Sequence, residues 1–345
     1  MADLNTMVYT KTYMHTQRKI KKPFNGLTSK DIRNKRLVFP HSVKRVEIEE
    51  TNSSWVFLTG KYAYKVKKQV KLPFLDFSTV EHRKWSCQEE VRLNRRLSPE
   101  VYEGVIPLMV NDNEIVFGDV LGEDDYSVKM VQLPNERRFD KLLTRGSVGK
   151  DEIIAIAKLL NDFHSNAEIE TGESTPLEIR LDGLEQSMGM VVSNASVIKK
   201  TVERFIRFVD DNKEQLVKRL HNGRIREGHG DLKLENVFYL EKPVIIDSVE
   251  FNKAFRCIDV GADIAFLAIG LDFYGKERLA ELFVERYKDF SQDVEIPKLM
   301  DYYKCHRAIV MAKTLTMEYL RRPSEEKRTQ IKRFLELAGQ YANLL

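Results

Sequence analysis

The residues Glu227 to Gly261, EGHGDLKLENVFYLEKPVIIDSVEFNKAFRCIDVG, restrict this chain more than any other stretch. A polar loop, His229 to Asn236, precedes two short apolar runs, Val237-Phe238-Tyr239-Leu240 and Val244-Ile245-Ile246. Glu241-Lys242-Pro243 separates the runs, and β-forming residues on both sides of such a turn predict a hairpin. The hairpin returns Asp247 to the side of the sheet where Asn236 lies. A carboxylate and an amide oxygen held there suit a hard cation such as Mg2+, with phosphate oxygens and water completing its shell. Asp231, one loop turn earlier, is left to accept a proton. Phosphoryl transfer needs this division of labour, because it depends on positioning and charge more than on covalent chemistry. Asp and Asn are also ordinary turn formers, so the upstream sequence has to decide between a site and a surface hairpin.

Composition narrows the setting. With 345 residues, 42% of them hydrophobic, the chain can build one two-lobed unit or two modest domains. A formal net charge of +4 gives no overall polyanion-binding character. Cys87, Cys257 and Cys305 are far apart and lack metal-ligand spacing, which fits a reducing compartment. No apolar run is long enough for a membrane span, and the start lacks a signal-peptide core. The expectation is a soluble cytoplasmic protein.

Residues 1–36 are polar and basic, with the cluster Arg18-Lys19-Ile20-Lys21-Lys22. They predict a solvated, flexible arm, whose charge could also touch a phosphate backbone. From Val43, VKRVEIEE, SWVFLTG and KYAYKVKK alternate in polarity and predict three antiparallel strands. On the third, Ala63 and Lys65 share one face, with Tyr62, Tyr64 and Val66 on the other. A helix capped near Ser78 or Thr79 runs to about Leu97. Val80, Cys87, Val91, Leu93 and Leu97 form its apolar stripe, and Glu90 falls within that stripe while Glu89 falls outside. An inward carboxylate is costly unless paired, and Lys65 is the expected partner of Glu90. Further strands are expected at Val105–Met109, Glu114–Val120 and Tyr126–Val131. Asp151–His164, Val197–Leu220, the run CIDVGADIAFLAIGL and most of the chain after Lys276 read as helices.

HGDLKLEN followed by IID resembles the catalytic loop and metal-binding segment of the aminoglycoside phosphotransferase-like kinases, within the protein-kinase-like superfamily. The stretch from Pro40 to Leu142 is similar to one branch of that family whose substrates are largely unassigned. It includes HSVKRVEIEETNSSWVFLTGKYAYKVKK and LPFLDFSTVEHRKWSCQEEVRLNRRLSPEVY. The resemblance implies an α+β, two-lobed kinase-like fold. The N-lobe would cover 37–131, with an antiparallel sheet and one helix, and the mostly helical C-lobe 132–345.

The resemblance also implies roles. Lys65 would neutralise phosphates and Glu90 would hold Lys65. Ala63 would line the adenine pocket, with backbone groups of Met130, Val131 and Gln132 at the hinge. No GxGxxG run is present, so Ser53 and Ser54 in the turn Thr51-Asn52-Ser53-Ser54 would meet the phosphates. Asp231 would be the base, Asn236 and Asp247 the Mg2+ ligands, and ATP or GTP the donor. His229 and Asp263 would brace the loop. Glu250 could meet a substrate near the metal or equally only fasten its loop, while Arg307 and Lys313 could hold an anionic substrate, with salt bridges to Asp259 or Glu250 as the structural alternative. The leading acceptor is a small-molecule hydroxyl. A protein or RNA kinase docking through the basic arm, and an inactive nucleotide-binding module, are the alternatives.

Overall fold

A computed structural model describes residues 26–118, 122–171 and 195–345. The cluster Arg18–Lys22 therefore lies outside the described residues. Residues 27–36, expected within the arm, are folded onto the rest of the chain. Thr28 and Asp31 form a reciprocal capping box for the helix α1, Ser29–Asn34, and Leu27 is buried.

The strands β1 (Arg36–Val38), β2 (Glu47–Glu50), β3 (Ser54–Leu58) and β4 (Tyr62–Lys67) follow. A short pair, β5 (Lys71–Leu72) and β6 (Leu75–Asp76), leads to the helix α2, Val80–Asn94. Then come β7 (Tyr102–Val110), β8 (Glu114–Phe117) and β9 (Asp125–Val131). Seven of these strands make one sheet in the order β1-β8-β7-β9-β4-β3-β2, antiparallel except for β1 against β8. Alternation along β4 splits the sheet into two faces. Tyr64 and Val66 join Trp55, Phe57, Leu108 and Phe117 on one side, where Phe39 stacks on Phe117 at 4.7 Å. Ala63 joins Cys87, Val91, Tyr102, Val128 and Met130 on the other, beneath α2. Phe238 and Val244 complete that second cluster, so the apolar face of the sheet continues into the hairpin of the second half.

The second half is helical around that hairpin. Its helices are α3 (Phe139–Thr144), α4 (Lys150–Asn166), α5 (Ala195–Asp211) and α6 (Lys213–His221). The helical stretch expected over 197–220 is broken at Asn212, whose side chain donates back to Phe208 C=O at 2.9 Å. Strand β10 (Ile225–Glu227) precedes the hairpin β11 (Val237–Tyr239) and β12 (Pro243–Ile245). The expected hairpin forms, with Val237 opposite Ile245. After α7 (Lys253–Arg256), the expected helix beginning at Cys257 opens instead as strand β13 (Cys257–Asp259), paired with β10. Asp259 then caps α8, Val260–Phe273, through the amide of Gly261. α8 is buried almost throughout and is enclosed by α9 (Glu277–Ser291), α10 (Ile296–Arg321) and α11 (Glu325–Ala342). Among the described residues no helix is long and apolar enough to cross a membrane.

Candidate active site

The two faces of β4 set the site. Because side chains alternate, Lys65 leaves the sheet on the α2 side, where α2 presents Glu90. Lys65 Nζ donates to Glu90 Oε1 at 2.8 Å and to Asp247 Oδ1 at 2.5 Å, across a sequence separation of 182. Glu90 is fully buried. Glu89, the other candidate, pairs with Arg92 and Arg256 instead. Burial works against both charges of the Lys65–Asp247 pair, but their mutual attraction wins. Lys65 is raised well above its ordinary pKa and Asp247 held well below its own.

Asp247 reaches Lys65 with its backbone at φ 67°, a left-handed conformation that Asp tolerates better than most residues. The Tyr102 hydroxyl accepts the Asp247 amide at 3.1 Å, and the Asn94 side chain accepts the next amide, of Ser248, at 2.9 Å. Ser98 Oγ both accepts from Ile245 N–H (3.1 Å) and donates to Ile245 C=O (2.8 Å). The end of α2 thus fastens the hairpin that carries Asp247.

The loop before the hairpin is held from below. Asp263 on α8 accepts the amides of His229 (2.7 Å) and Gly230 (2.9 Å), and His164 Nε2 lies 3.1 Å away. Despite full burial, which disfavours its charge, these partners hold its carboxyl well below the usual range. Gly230 has φ +84° and sits so close to Phe255 C=O that a Cβ would lie 2.6 Å from it, which leaves only glycine there. His229 Nε2 donates to Ile246 C=O at 3.0 Å while Nδ1 accepts the Asp231 amide at 3.2 Å, a neutral tautomer. Burial lowers the pKa of His229 accordingly. Both residues are tied to the loop by these hydrogen bonds.

Asn236 Nδ2 donates to the Asp231 carbonyl at 2.9 Å, which turns its Oδ1 the other way. Asp247 keeps one carboxylate oxygen beyond the one that meets Lys65. Among the described residues no group of three or more His, Cys, Asp or Glu could hold a metal. A donor set of one amide and one carboxylate oxygen fits a cation that arrives with phosphate oxygens and water, and does not fit a protein-only cage.

The remaining expected residues surround this centre or turn away from it. Ala63 and Met130 belong to a buried apolar cluster with Phe238, and Val56, Leu240 and Ile246 pack against it. The Val131 amide donates to Val101 C=O (2.8 Å) and the Gln132 amide to Lys61 C=O (3.0 Å). The amides of Ser53 and Ser54 are turned onto Thr51 Oγ1, and the Ser54 hydroxyl is buried without a partner among the described residues. Glu250 does not line the cleft. Its carboxylate is buried against Lys67 and the Ser86 hydroxyl (3.0 Å), so it fastens the segment after Asp247 to β4 and α2. Arg307 has neither expected salt bridge, because Asp259 is taken by Arg219 at 2.6 Å. Lys313, six residues on along α10, projects about 120° away from Arg307, so the two cations do not converge on one spot.

Two lysines at the site escape the sequence reading. Lys233 Nζ lies 2.9 Å from Asp231 Oδ2. Burial disfavours its charge, yet the Asp231 carboxylate raises its pKa. Its place two residues after Asp231 in the loop was the available signal. Lys67 takes the second oxygen of Glu90, and only its shared face with Lys65 hinted at that.

Known proteins share parts of this architecture. An uncharacterized protein of Mycobacterium tuberculosis is 30% identical over 278 residues, covering 78% of this chain and 54% of that protein. The chain thus spans about half the length of the curated relatives it matches. No protein-family model matches it. A choline kinase from Cryptosporidium parvum Iowa II superposes with a TM-score of 0.51 at 13% identity, over 87% of this chain and 90% of that one. The GDP complex of aminoglycoside 2'-phosphotransferase-IIIa gives 0.46 at 13% identity, over 89% and 95%. The chain has the two-lobed kinase-like fold.

Proposed function

We propose that the chain transfers the γ-phosphoryl group of ATP or GTP to the hydroxyl of a small molecule. The observation that carries this reading is Lys65 joined at once to Glu90 and Asp247 beside the Asp231–Asn236 loop. The fold shared with a choline kinase is consistent with it.

In this reading the adenine lies against the apolar cluster of Ala63, Met130 and Phe238, on the side of the partly buried Val56 and Ile246. The Val131 and Gln132 amides already have acceptors, so contacts to the base edge fall to other backbone groups of Met130 to Gln132 or follow an exchange of partners. The same holds for phosphate contacts at Ser53 and Ser54, whose amides are engaged by Thr51. Lys65 exchanges Asp247 for phosphate oxygens. Asn236 and Asp247 would hold Mg2+, which neutralises charge developing on the phosphates when bound. Asp231 accepts the acceptor's proton as the new O–P bond forms and the bridging bond to the β-phosphate breaks, releasing the nucleoside diphosphate. Lys233, paired with Asp231, brings a second positive charge beside the proposed base.

The test is Asp231→Asn. Nucleotide binding should persist while turnover falls about a hundredfold or more, the usual effect of removing a general base. Unchanged turnover would reassign Asp231. A screen of metabolite extracts with labelled ATP would find the acceptor.

A further inference from the structure

The acceptor can be narrowed by one side chain, on the footing of the phosphoryl-transfer reading above. Arg307 is 1% exposed. Its Nε donates to Ala262 C=O at 2.8 Å, and its guanidinium lies over the Phe266 ring, 4.3 Å from the centroid. Nη1 and Nη2 have no acceptor among the described residues. The nearby carboxylates are committed elsewhere. Asp263 serves His229, Gly230 and His164, Asp259 serves Arg219, and Asp231 is paired with Lys233.

A guanidinium cannot shed its charge, and burial pushes this one down only to about 10, with Asp263 and Asp231 opposing that fall. Its anchor, Ala262, directly precedes Asp263, which holds the amides of the loop that carries the proposed base. A buried cation with its strongest donors unmatched is costly, and that cost disappears when an anion completes the fork. The planar pair of Nη groups matches two oxygens of a carboxylate or a phosphate. One turn further on, the same side of α10 carries Val310 and Met311, both only half-buried.

We propose that Arg307 recognises an anionic group on the acceptor, so that the substrate is a hydroxyl compound also bearing a carboxylate or a phosphate.

The probe is inorganic sulfate, titrated calorimetrically into protein saturated with a non-hydrolysable ATP analogue and Mg2+, so that the nucleotide's own phosphate positions are filled. Wild type should bind one sulfate, Arg307→Gln should bind it at least tenfold more weakly, and Arg307→Lys should fall between. No sulfate binding by wild type, or equal binding by wild type and Arg307→Gln, overturns the proposal. Should Arg307→Gln fail to fold, Arg307→Lys decides, because a point charge cannot reproduce the bidentate fork.

Acceptor pairs form the second arm: hydroxy acids against their amides, and phosphorylated polyols against the free polyols. The anionic member should be favoured at least tenfold in kcat/KM, and the better series tells carboxylate from phosphate. A preference for neutral members overturns the anion site while leaving the kinase reading intact. Loss of nucleotide binding, or no transfer to any acceptor, instead sinks the kinase reading, and the sulfate titration run without nucleotide still reports on Arg307.

Discussion

Lys65 and Lys67 project from the same face of β4 and each takes one oxygen of Glu90, yet their second partners differ. Lys65 meets Asp247, whose side chain is 44% exposed, whereas Lys67 meets Glu250, at 6%. The first pair is open to solvent on the Asp247 side, and in the proposed reading phosphate oxygens replace Asp247 at Lys65. The second is sealed between β4, α2 and the segment after Asp247. An ion pair at a cleft is exchangeable, while a sealed one becomes expensive only when one partner is removed. One strand therefore supplies both a cation suited to a ligand and a staple that holds the ligand site together.

The largest effect should come from breaking the staple. Lys67→Met strands Glu250 and half of Glu90 in the interior and should cost about 3–5 kcal/mol in urea unfolding. Lys65→Met should cost much less stability, since Glu90 keeps Lys67, while abolishing most phosphate-dependent nucleotide binding. Equal stability losses in the two variants would erase the distinction between the lysines.

A smaller effect tests the other partners. Asp247→Ala should weaken Mg2+-dependent nucleotide binding by about tenfold or more, near 1.4 kcal/mol, while Glu250→Gln lowers the melting temperature and leaves the Mg2+ dependence in place. Identical nucleotide affinity with and without Mg2+ in both wild type and Asp247→Ala would contradict the metal role.

The smallest effect is a pH dependence in the brace beneath the cleft. His229 has its pKa lowered in the folded state, mainly by burial. Its contribution to stability is therefore complete above the unfolded value of about 6.5 and declines as pH falls toward the folded value. The stability gap between wild type and His229→Asn should narrow by about 1 kcal/mol between pH 7 and pH 5. A gap that widens on acidification would mean that His229 is charged in the fold.

Much of the site was legible locally. The β11–β12 hairpin, the loop from His229 to Asn236 and the partnership of Glu90 with Lys65 all follow from alternation or helical periodicity, which encode burial over a few residues. Asp263 was legible too, because an acid at the start of an apolar helix has to find donors. Glu250 stayed open between a substrate contact and a fastener of its loop, and nothing within its own stretch announced that Lys67 would enclose it. Residues 257–259 read as helix because apolar residues near a helix start do not reveal pairing with a distant strand, β10.

Local sequence was enough to lay out the elements and the chemical types available to them, since backbone propensity and side-chain period act over neighbouring residues. It took the folded chain to show that Lys67 shares Glu90, where Glu250 is spent, that Asp247 takes a left-handed backbone, and that Arg307 is buried with its outer donors unmatched among the described residues. Each of these depends on burial and on partners far away in the chain, and the energy of a charge is set by what surrounds it, which no local pattern records.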